Sequence, residues 1–375
     1  MIYRKSVLKT KIIAEESKTA FLELLRLGVG VHEIAPMPNH IDWNAVKSLA
    51  DQHELSAVVL DGTDCLNARF PNLANAMPMS LKLKWIGEVL QNYEHRYVAY
   101  EKAISSLARF YSQHGFKMMV LKGYGLSLNY PKPNHRPCGD IDIWLFGKWK
   151  EADDVLLSEK GVRIDTSHHH HTVFDWQGFS VENHYNFLNV YHHRSNVEME
   201  VILEELGQDD SFSVEVNGTK VNLPNANLHA LFMLRHCMSN FASTGIKLRQ
   251  LLDWAFFARK HKTDIDWGWL DEQLAHFGMK KLSDIINAIC VCDLGFEDSI
   301  FPNVQYDPAL KERVLNDMLS PEFSEKEPDS FVFRAVFKYR RWKANAWKHE
   351  LCFKESLWSA FWSGVVSHLM KPQSI

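Results

Sequence analysis

Apolar positions recur with a helical period toward both ends of the chain and with a strand period in its middle. From Asp42 to Leu55, DWNAVKSLADQHEL spaces its apolar residues for a helix behind an aspartate able to cap it. Leu81, Trp85, Val89, Tyr93, Tyr97, Ile104 and Leu107 then return at helical intervals with charge between them, predicting helix through Tyr111. His114-Gly115 stops that pattern. FKMMVLKG follows as a short apolar run read as a buried strand, then a short helix from Leu126 to Tyr130, and Pro131 with Pro133 force a loop. The loop leads to a second strand, GDIDIWLF. KWKEADDVLLSEKG is an amphipathic helix ended by Gly161, and HTVFDWQGFSVENHY reads as two strands joined at Gln177-Gly178.

The order strand, helix, strand, helix, strand, strand describes a compact α/β unit. Beyond it, Ser195 is placed to cap a helix through VEMEVILEEL, and FSVEVNGTKVNL reads as a hairpin turning at Asn217-Gly218. From Asn225 the helical period resumes through NLHALFMLRHCMSNF, KLRQLLDWAFFARKH and WLDEQLAHFG. The organisation predicted is a helical region over 1–112, a core over 113–224 and a helical domain over 225–375.

Composition changes this picture little. A chain of 375 residues, 46% hydrophobic, can bury a sizeable core. With 42 Lys and Arg against 46 Asp and Glu, no global charge argues for nucleic acid or a membrane surface. The six cysteines lack the CxxC pairs and neighbouring histidines that zinc needs, so they read as reduced thiols. MIYRKSVLKTKIIAEE carries charge throughout and no apolar signal core, and no run approaches the roughly 20 apolar residues of a membrane span. A cytoplasmic protein without a membrane span is expected. The basic and aromatic stretch RAVFKYRRWKANAWKHELCFKESLWSAFW reads as an amphipathic helix packed on the body with a basic outer face; its rival is an RNA, lipid or partner surface.

Candidate chemistry centres on a triplet that occurs twice, in CGDIDIW at 138–144 and TDIDWGW at 263–269. On a strand, Asp140 and Asp142 share one face while Ile141, Ile143 and Leu145 enter the core. Two such carboxylates repel, and a divalent cation between them removes the cost. The second copy lies between a basic helix end and a new helix near Trp267, where Asp266 serves as a cap and Asp264 as a loop residue. Upstream of the first copy stand Lys122-Gly123 and Arg136. Downstream, Glu182 in FSVENHY supplies a third carboxylate from another strand.

Other residues carry weaker signals. In SHHHHTVF, alternation would pair His169 with His171 and His168 with His170, so at most two share a face; His171 is the one expected to approach the site. His184 would point the same way as Glu182, either lining the same site or packing. Asp253 lies on an apolar helix and is expected to pair with Arg249 at helical spacing. Glu198 and Glu200 are assigned to a wet surface.

The run VLKGYGLSLNYPKPNHRPCGDIDIWL, followed by HHHTVFDWQGFSVENHY and KLRQLLDWAFF, resembles the bacterial, largely uncharacterised nucleotidyltransferase family of the DNA polymerase β-like superfamily, over residues 40 to 275. The resemblance implies an α+β fold: a nucleotidyltransferase-like α/β catalytic core with a mixed sheet, flanked by N- and C-terminal helical lobes. It implies that Lys122 and Gly123 stand where relatives carry a Gly-Gly or Gly-Ser pair, that Asp140 and Asp142 are the acidic pair, and that Glu182 is the third acid. Tyr124 stands where a serine would follow Gly123, so Lys122 or Arg136 is expected to grip the triphosphate.

The implied activity is a transfer that depends on Mg²⁺ (or Mn²⁺). A nucleoside monophosphate leaves an NTP, with ATP the expected donor, for an acceptor hydroxyl, and pyrophosphate is released. Asp140 and Asp142 would hold one metal on the phosphates, and both acids with Glu182 a second near the acceptor. Nucleotide contacts fall to Lys122, Gly123, Arg136 and Asp253; His171 and His184 lie on the acceptor side. The acceptor is a sugar, an antibiotic or other small molecule, a nucleic-acid end or a protein. Two rivals stand beside this reading: a catalytically silent nucleotide-binding version of the fold, and a histidine-based metallohydrolase built on 168–171 and 184.

Overall fold

The computed structural model describes residues 2–362 apart from 32–35, 39, 70, 72–76, 192, 324, 326, 327, 329, 330 and 361. Its N-terminal part is helical: α1 (Ile2–Gly28), α2 (Trp43–Gln52), α3 (Ser56–Arg69), α4 (Met79–Val89) and, after a π-helical turn over Leu90–His95, α5 (Arg96–Gln113). Asp42 caps α2 as its position suggested, its side chain accepting the N–H groups of Asn44 and Ala45, each at 3.1 Å. The periodic residues Trp85, Val89, Tyr97, Ile104 and Leu107 are all buried.

The middle of the chain forms a mixed sheet with strand order β3-β4-β2-β1-β6-β5. Its strands are β1 (Met119–Val120), β2 (Ile141–Trp144), β3 (His171–Trp176), β4 (Phe179–His184), β5 (Ser213–Val216) and β6 (Thr219–Asn222). β2 runs antiparallel to β1 and parallel to β4, while β1 runs parallel to β6. Both hairpins turn where expected: Gln177-Gly178 and Asn217-Gly218 adopt positive φ at both central residues, 53° and 81° in the first and 48° and 73° in the second.

Short helices connect the strands: α6 (Tyr124–Ser127) and α7 (Trp149–Lys160) precede and follow β2, and α8 (Arg194–Gly207) follows β4. The C-terminal part is helical again. It comprises α9 (Ala226–Ser243), α10 (Leu248–Lys260), α11 (Trp267–His276), α12 (Lys280–Cys292), α13 (Pro308–Leu319), α14 (Phe331–Ala344) and α15 (Ala346–Cys352).

Alternation along β2 divides the core. Ile141, Ile143 and Leu145 enter an apolar cluster with Tyr100, Ile104 and Leu107 of α5 and Leu156 of α7. Trp144 faces the other way and joins Phe187, Met199 of α8 and Phe232 of α9 in a larger cluster that also holds Leu24 of α1 and Ile289 of α12. The N- and C-terminal helices therefore share one core beyond the sheet, and α5 is the N-terminal helix that packs on it.

Local expectations depart from the structure in several places. β1 has two residues rather than the whole run FKMMVLKG, because the chain bends at Gly123, whose φ is +55°. The following helix starts at Tyr124, ahead of the predicted Leu126. Ser195 does not cap α8, which begins at Arg194 after His193; instead its N–H donates to Glu355 at 2.6 Å and its hydroxyl accepts from Arg235 at 2.8 Å. The basic and aromatic C-terminal stretch is not one helix with a basic exterior: it breaks at Asn345, and Val336 and Tyr339 lie exposed beside its basic residues. Among the described residues no helix is long and apolar enough to cross a membrane.

Candidate active site

The parallel ladder between β2 and β4 sets Asp142 directly beside Glu182. Side chains opposite one another in register share a face, so two carboxylates from strands 40 residues apart in sequence become neighbours. Asp140 stands at the last position before β2. All three acids line one cavity of about 750 Å³, and Lys122, Gly123, Arg136 and Asp253 line the same cavity. Its wall opposite the sheet comes from α9 and α10, through Met233, His236, Arg249 and Trp254.

The acids differ in surroundings. Asp142 is 4% exposed and sits 2.8 Å from Lys122 Nζ and 3.1 Å from His184 Nε2. Burial alone would raise its pKa; Lys122 and the His184 hydrogen bond outweigh burial and hold it well below the usual range. The same contacts act in reverse on their partners. Burial opposes the charged forms of Lys122 and His184, yet Asp142, with Glu182 beside it, keeps both pKa values raised. Glu182 is likewise held low against burial by its 3.5 Å contact with His184.

Asp140 is the exception. It is exposed on the lining of the cleft, yet its pKa is raised, first by desolvation and then by Asp142 and Glu182. Negative charge in this cleft is therefore only partly offset. Asp142, Glu182 and His184 bring one ligand atom each within 4.8 Å of one another, Asp140 lines the same cavity, and the carboxylates present fit Mg²⁺ or Mn²⁺.

Gly123 can be no larger residue. A Cβ there would lie 2.5 Å from the Tyr100 hydroxyl, which donates to the Asp140 carbonyl at 2.7 Å. Arg96 gives a second tie from α5, donating to the Cys138 carbonyl at 2.9 Å. The acidic loop is thus fixed from behind by a tyrosine and an arginine that no local motif marks, since their partners lie 40 and 42 residues away. Tyr124, in the serine position, turns from the cleft: it is buried, and its hydroxyl donates to Glu101 at 3.0 Å.

Arg136 and Asp253 meet each other. The guanidinium donates to both Asp253 oxygens, at 2.8 and 3.0 Å, while Arg249 and Tyr130 add further bonds at 2.8 Å each. Burial would raise Asp253, but Arg136 and Arg249 hold it low. The expected pairing of Asp253 with Arg249 is present within this larger cluster, which fastens the loop before β2 to α10.

The histidines fall differently from a simple alternation. β3 begins only at His171, and the bend before it turns His170 inward as well. His170 packs on His171 and His184, with ring centroids 4.4 and 5.5 Å away, and His171 lies 5.1 Å from His184. His171 Nδ1 stands 3.8 Å from Glu182 Oε2. Burial first, then neighbouring positive charge, drives the pKa of His170 down to about 2; burial likewise takes His171 to about 4.

Glu200 corrects another expectation. It is not on a wet face but 5% exposed, accepting the N–H groups of Phe187 and Leu188 at 2.7 and 2.8 Å. Those bonds close the turn after β4, an arrangement that helical spacing alone does not reveal. Glu198 is exposed as expected and meets His276 at 2.8 Å.

The model of a family described as uncharacterised nucleotidyltransferase matches residues 39–292, more than half of the chain, and the chain belongs to that family. No curated protein and no solved structure matches it.

Proposed function

We propose that this nucleotidyltransferase moves a nucleoside monophosphate from an NTP, with ATP the expected donor, to an acceptor hydroxyl. The acceptor oxygen bonds to the α-phosphorus, the bond to the β-phosphate oxygen breaks, and pyrophosphate leaves with that electron pair. The supporting observation is that Asp140, Asp142 and Glu182 line one cavity with Lys122 and Gly123.

Mg²⁺ or Mn²⁺ held by these carboxylates would supply positive charge to the phosphate oxygens. The chain's own groups do the rest. Glu182, ionised at neutral pH, accepts the acceptor proton. Lys122 neutralises the floor of the cleft, and Gly123 lets phosphate approach the backbone closely. His171 and His184 brace Glu182 on the acceptor side. The Arg136–Asp253 cluster positions the acidic loop, because its donors are already engaged on one another.

Incubating α-labelled ATP, CTP, GTP and UTP with the protein, Mg²⁺ and a lysate lacking it tests this reading, with labelled product expected from one nucleotide. One observation favours a second reading, a silent nucleotide-binding protein: Lys122 Nζ, 2.8 Å from Asp142, already supplies a cation where relatives of the superfamily type are expected to place a metal. Mg²⁺-dependent nucleotide binding without any labelled product would select it.

A further inference from the structure

We infer that His170, His171 and His184 form a site for one divalent transition-metal ion of the Zn²⁺ class, with Glu182 as the fourth donor. One ligand nitrogen from each ring lies within 4.8 Å of the others. The site abuts the carboxylate cleft on the Glu182 side, at the junction of the bend before β3 and the end of β4.

The hydrogen bonds of these rings argue for an absent partner. His170 Nδ1 and both ring nitrogens of His171 are buried without a hydrogen-bond partner. A buried polar atom left unsatisfied costs about 1–3 kcal/mol, so three of them packed together are an unusual concentration. Glu182 Oε2, at 3.8 Å from His171 Nδ1, is too far for a hydrogen bond but near enough to share an ion.

His184 is already oriented as a ligand. Its Nδ1 lies 3.2 Å from the Asn186 carbonyl, the outer contact that fixes a metal-binding imidazole, and its Nε2 faces Glu182 at 3.5 Å. Binding would displace the proton that His184 now shares with Asp142 and Glu182. Donors around a tetrahedral zinc, with bonds of about 2.0–2.1 Å, stand about 3.3 Å apart, so the rings must close inward. His170 lies in a bend whose carbonyl accepts the N–H groups of Tyr185 and Asn186 at 3.0 and 3.1 Å, so the closing movement falls to its side chain and not to its backbone.

Donor chemistry distinguishes this site from the carboxylate cleft, with which it shares His184 and Glu182. Imidazole suits zinc, copper, iron or nickel, whereas carboxylate and phosphate oxygens suit magnesium or manganese. Two cations of different hardness would meet at Glu182, one in the cleft and one behind it. The ion would tie the bend before β3 to β4 and fix the carboxylate that the transfer reading uses as a base. The site itself stands independently of that reading, since it needs no nucleotide.

The test uses the full chain without a histidine tag, stripped with a chelator and dialysed against Zn²⁺ in excess Mg²⁺. One zinc per chain is expected, and cobalt in its place should give the intense visible absorption of a tetrahedral ion. His170→Ala and the bulkier His170→Gln should each weaken zinc binding at least about tenfold. His168→Ala and Asp140→Asn should retain it. Asp140→Asn also separates the two readings, because it removes a cleft carboxylate and leaves the imidazole set whole.

Failure of the wild-type chain to retain zinc would overturn the inference, as would only the weak absorption of octahedral cobalt. Unchanged zinc affinity in a folded His170→Gln protein would do the same. Equal loss in His168→Ala and His170→Ala would also overturn it, since the run would then bind zinc as a tag does.

Discussion

The triplet Asp-Ile-Asp occurs at 140–142 and again at 264–266, and the two copies share only the fate of their isoleucine. Ile141 and Ile265 are both buried, at 0% and 4% exposure. Around Ile141 the backbone enters a strand with a parallel partner, so Asp142 is set beside Glu182 and against Lys122. Around Ile265 the backbone begins a helix, and Asp266 spends its carboxylate on the N–H of Trp269 at 3.0 Å. Asp264 stays at the surface with His261, 3.0 Å away. Three identical letters thus carry no chemistry of their own. What distinguishes them is whether a neighbouring strand brings a third acid.

The comparison is sharpened most by removing Asp142. Asp142→Ala leaves Lys122 and His184 as buried cations without their shared anion, and breaking a buried pair in this way costs about 3–5 kcal/mol. Transfer should also fall by on the order of 10³, matching the several kcal/mol of charge stabilisation a bound metal supplies. Denaturant unfolding and labelled-product formation read the two effects separately. The folded pKa of Asp142 is depressed, so its stabilisation is present above the unfolded value of about 3.9 and is lost as pH falls through the folded one. Asp142→Asn should therefore flatten the acid limb of the stability curve; an unchanged limb would detach Asp142 from Lys122 and His184.

Asp140→Asn should remove transfer without that loss of stability. Its carboxylate is raised in pKa by partial desolvation and by Asp142 and Glu182, so in metal-free protein the neutral amide relieves repulsion and the melting temperature should stay level or rise. The sign is opposite to that of Asp142: a raised carboxylate favours folding at low pH and loses that contribution as pH rises through its folded value. A large drop in melting temperature would recast Asp140 as a structural residue.

Much of this contrast was legible in the sequence because it depends on local order. The strand around Ile141, the hairpin at Gln177-Gly178 and the cap at Asp266 are each set by residues within a few positions. What stayed hidden depends on distant contacts. Tyr100 and Arg96 reach the acidic loop from a helix 40 or more residues earlier. Arg136 reads as a free cation in the sequence, yet it is bound to Asp253, 117 residues away. The histidine run departs from strand alternation for a subtler reason: alternation applies only inside a strand, and β3 starts at His171, so His170 escapes the rule.

Asp266→Ala lies lower on the scale. It removes one cap bond at a helix N-terminus and should cost about 1 kcal/mol, with transfer unchanged. Loss of transfer in a folded Asp266→Ala protein would move the functional acids to the second copy and undo the comparison.

The smallest effect belongs to Asp264→Ala. Asp264 makes no cap bond, and its partners are His261 at 3.0 Å and the neighbouring Thr263 hydroxyl at 3.4 Å, all on an exposed turn. Exposed pairs of this kind contribute between nothing and about 1 kcal/mol because water and salt screen them. The turn itself is held by backbone bonds that the substitution leaves in place, from the N–H groups of Asp264 and Ile265 to the His261 carbonyl at 2.9 and 3.0 Å. Asp264→Ala should thus melt within the scatter of the wild type and below the shift of Asp266→Ala. If it instead cost more than Asp266→Ala, the turn would depend on the side chain rather than the backbone, and the second copy would hold two structural acids instead of one.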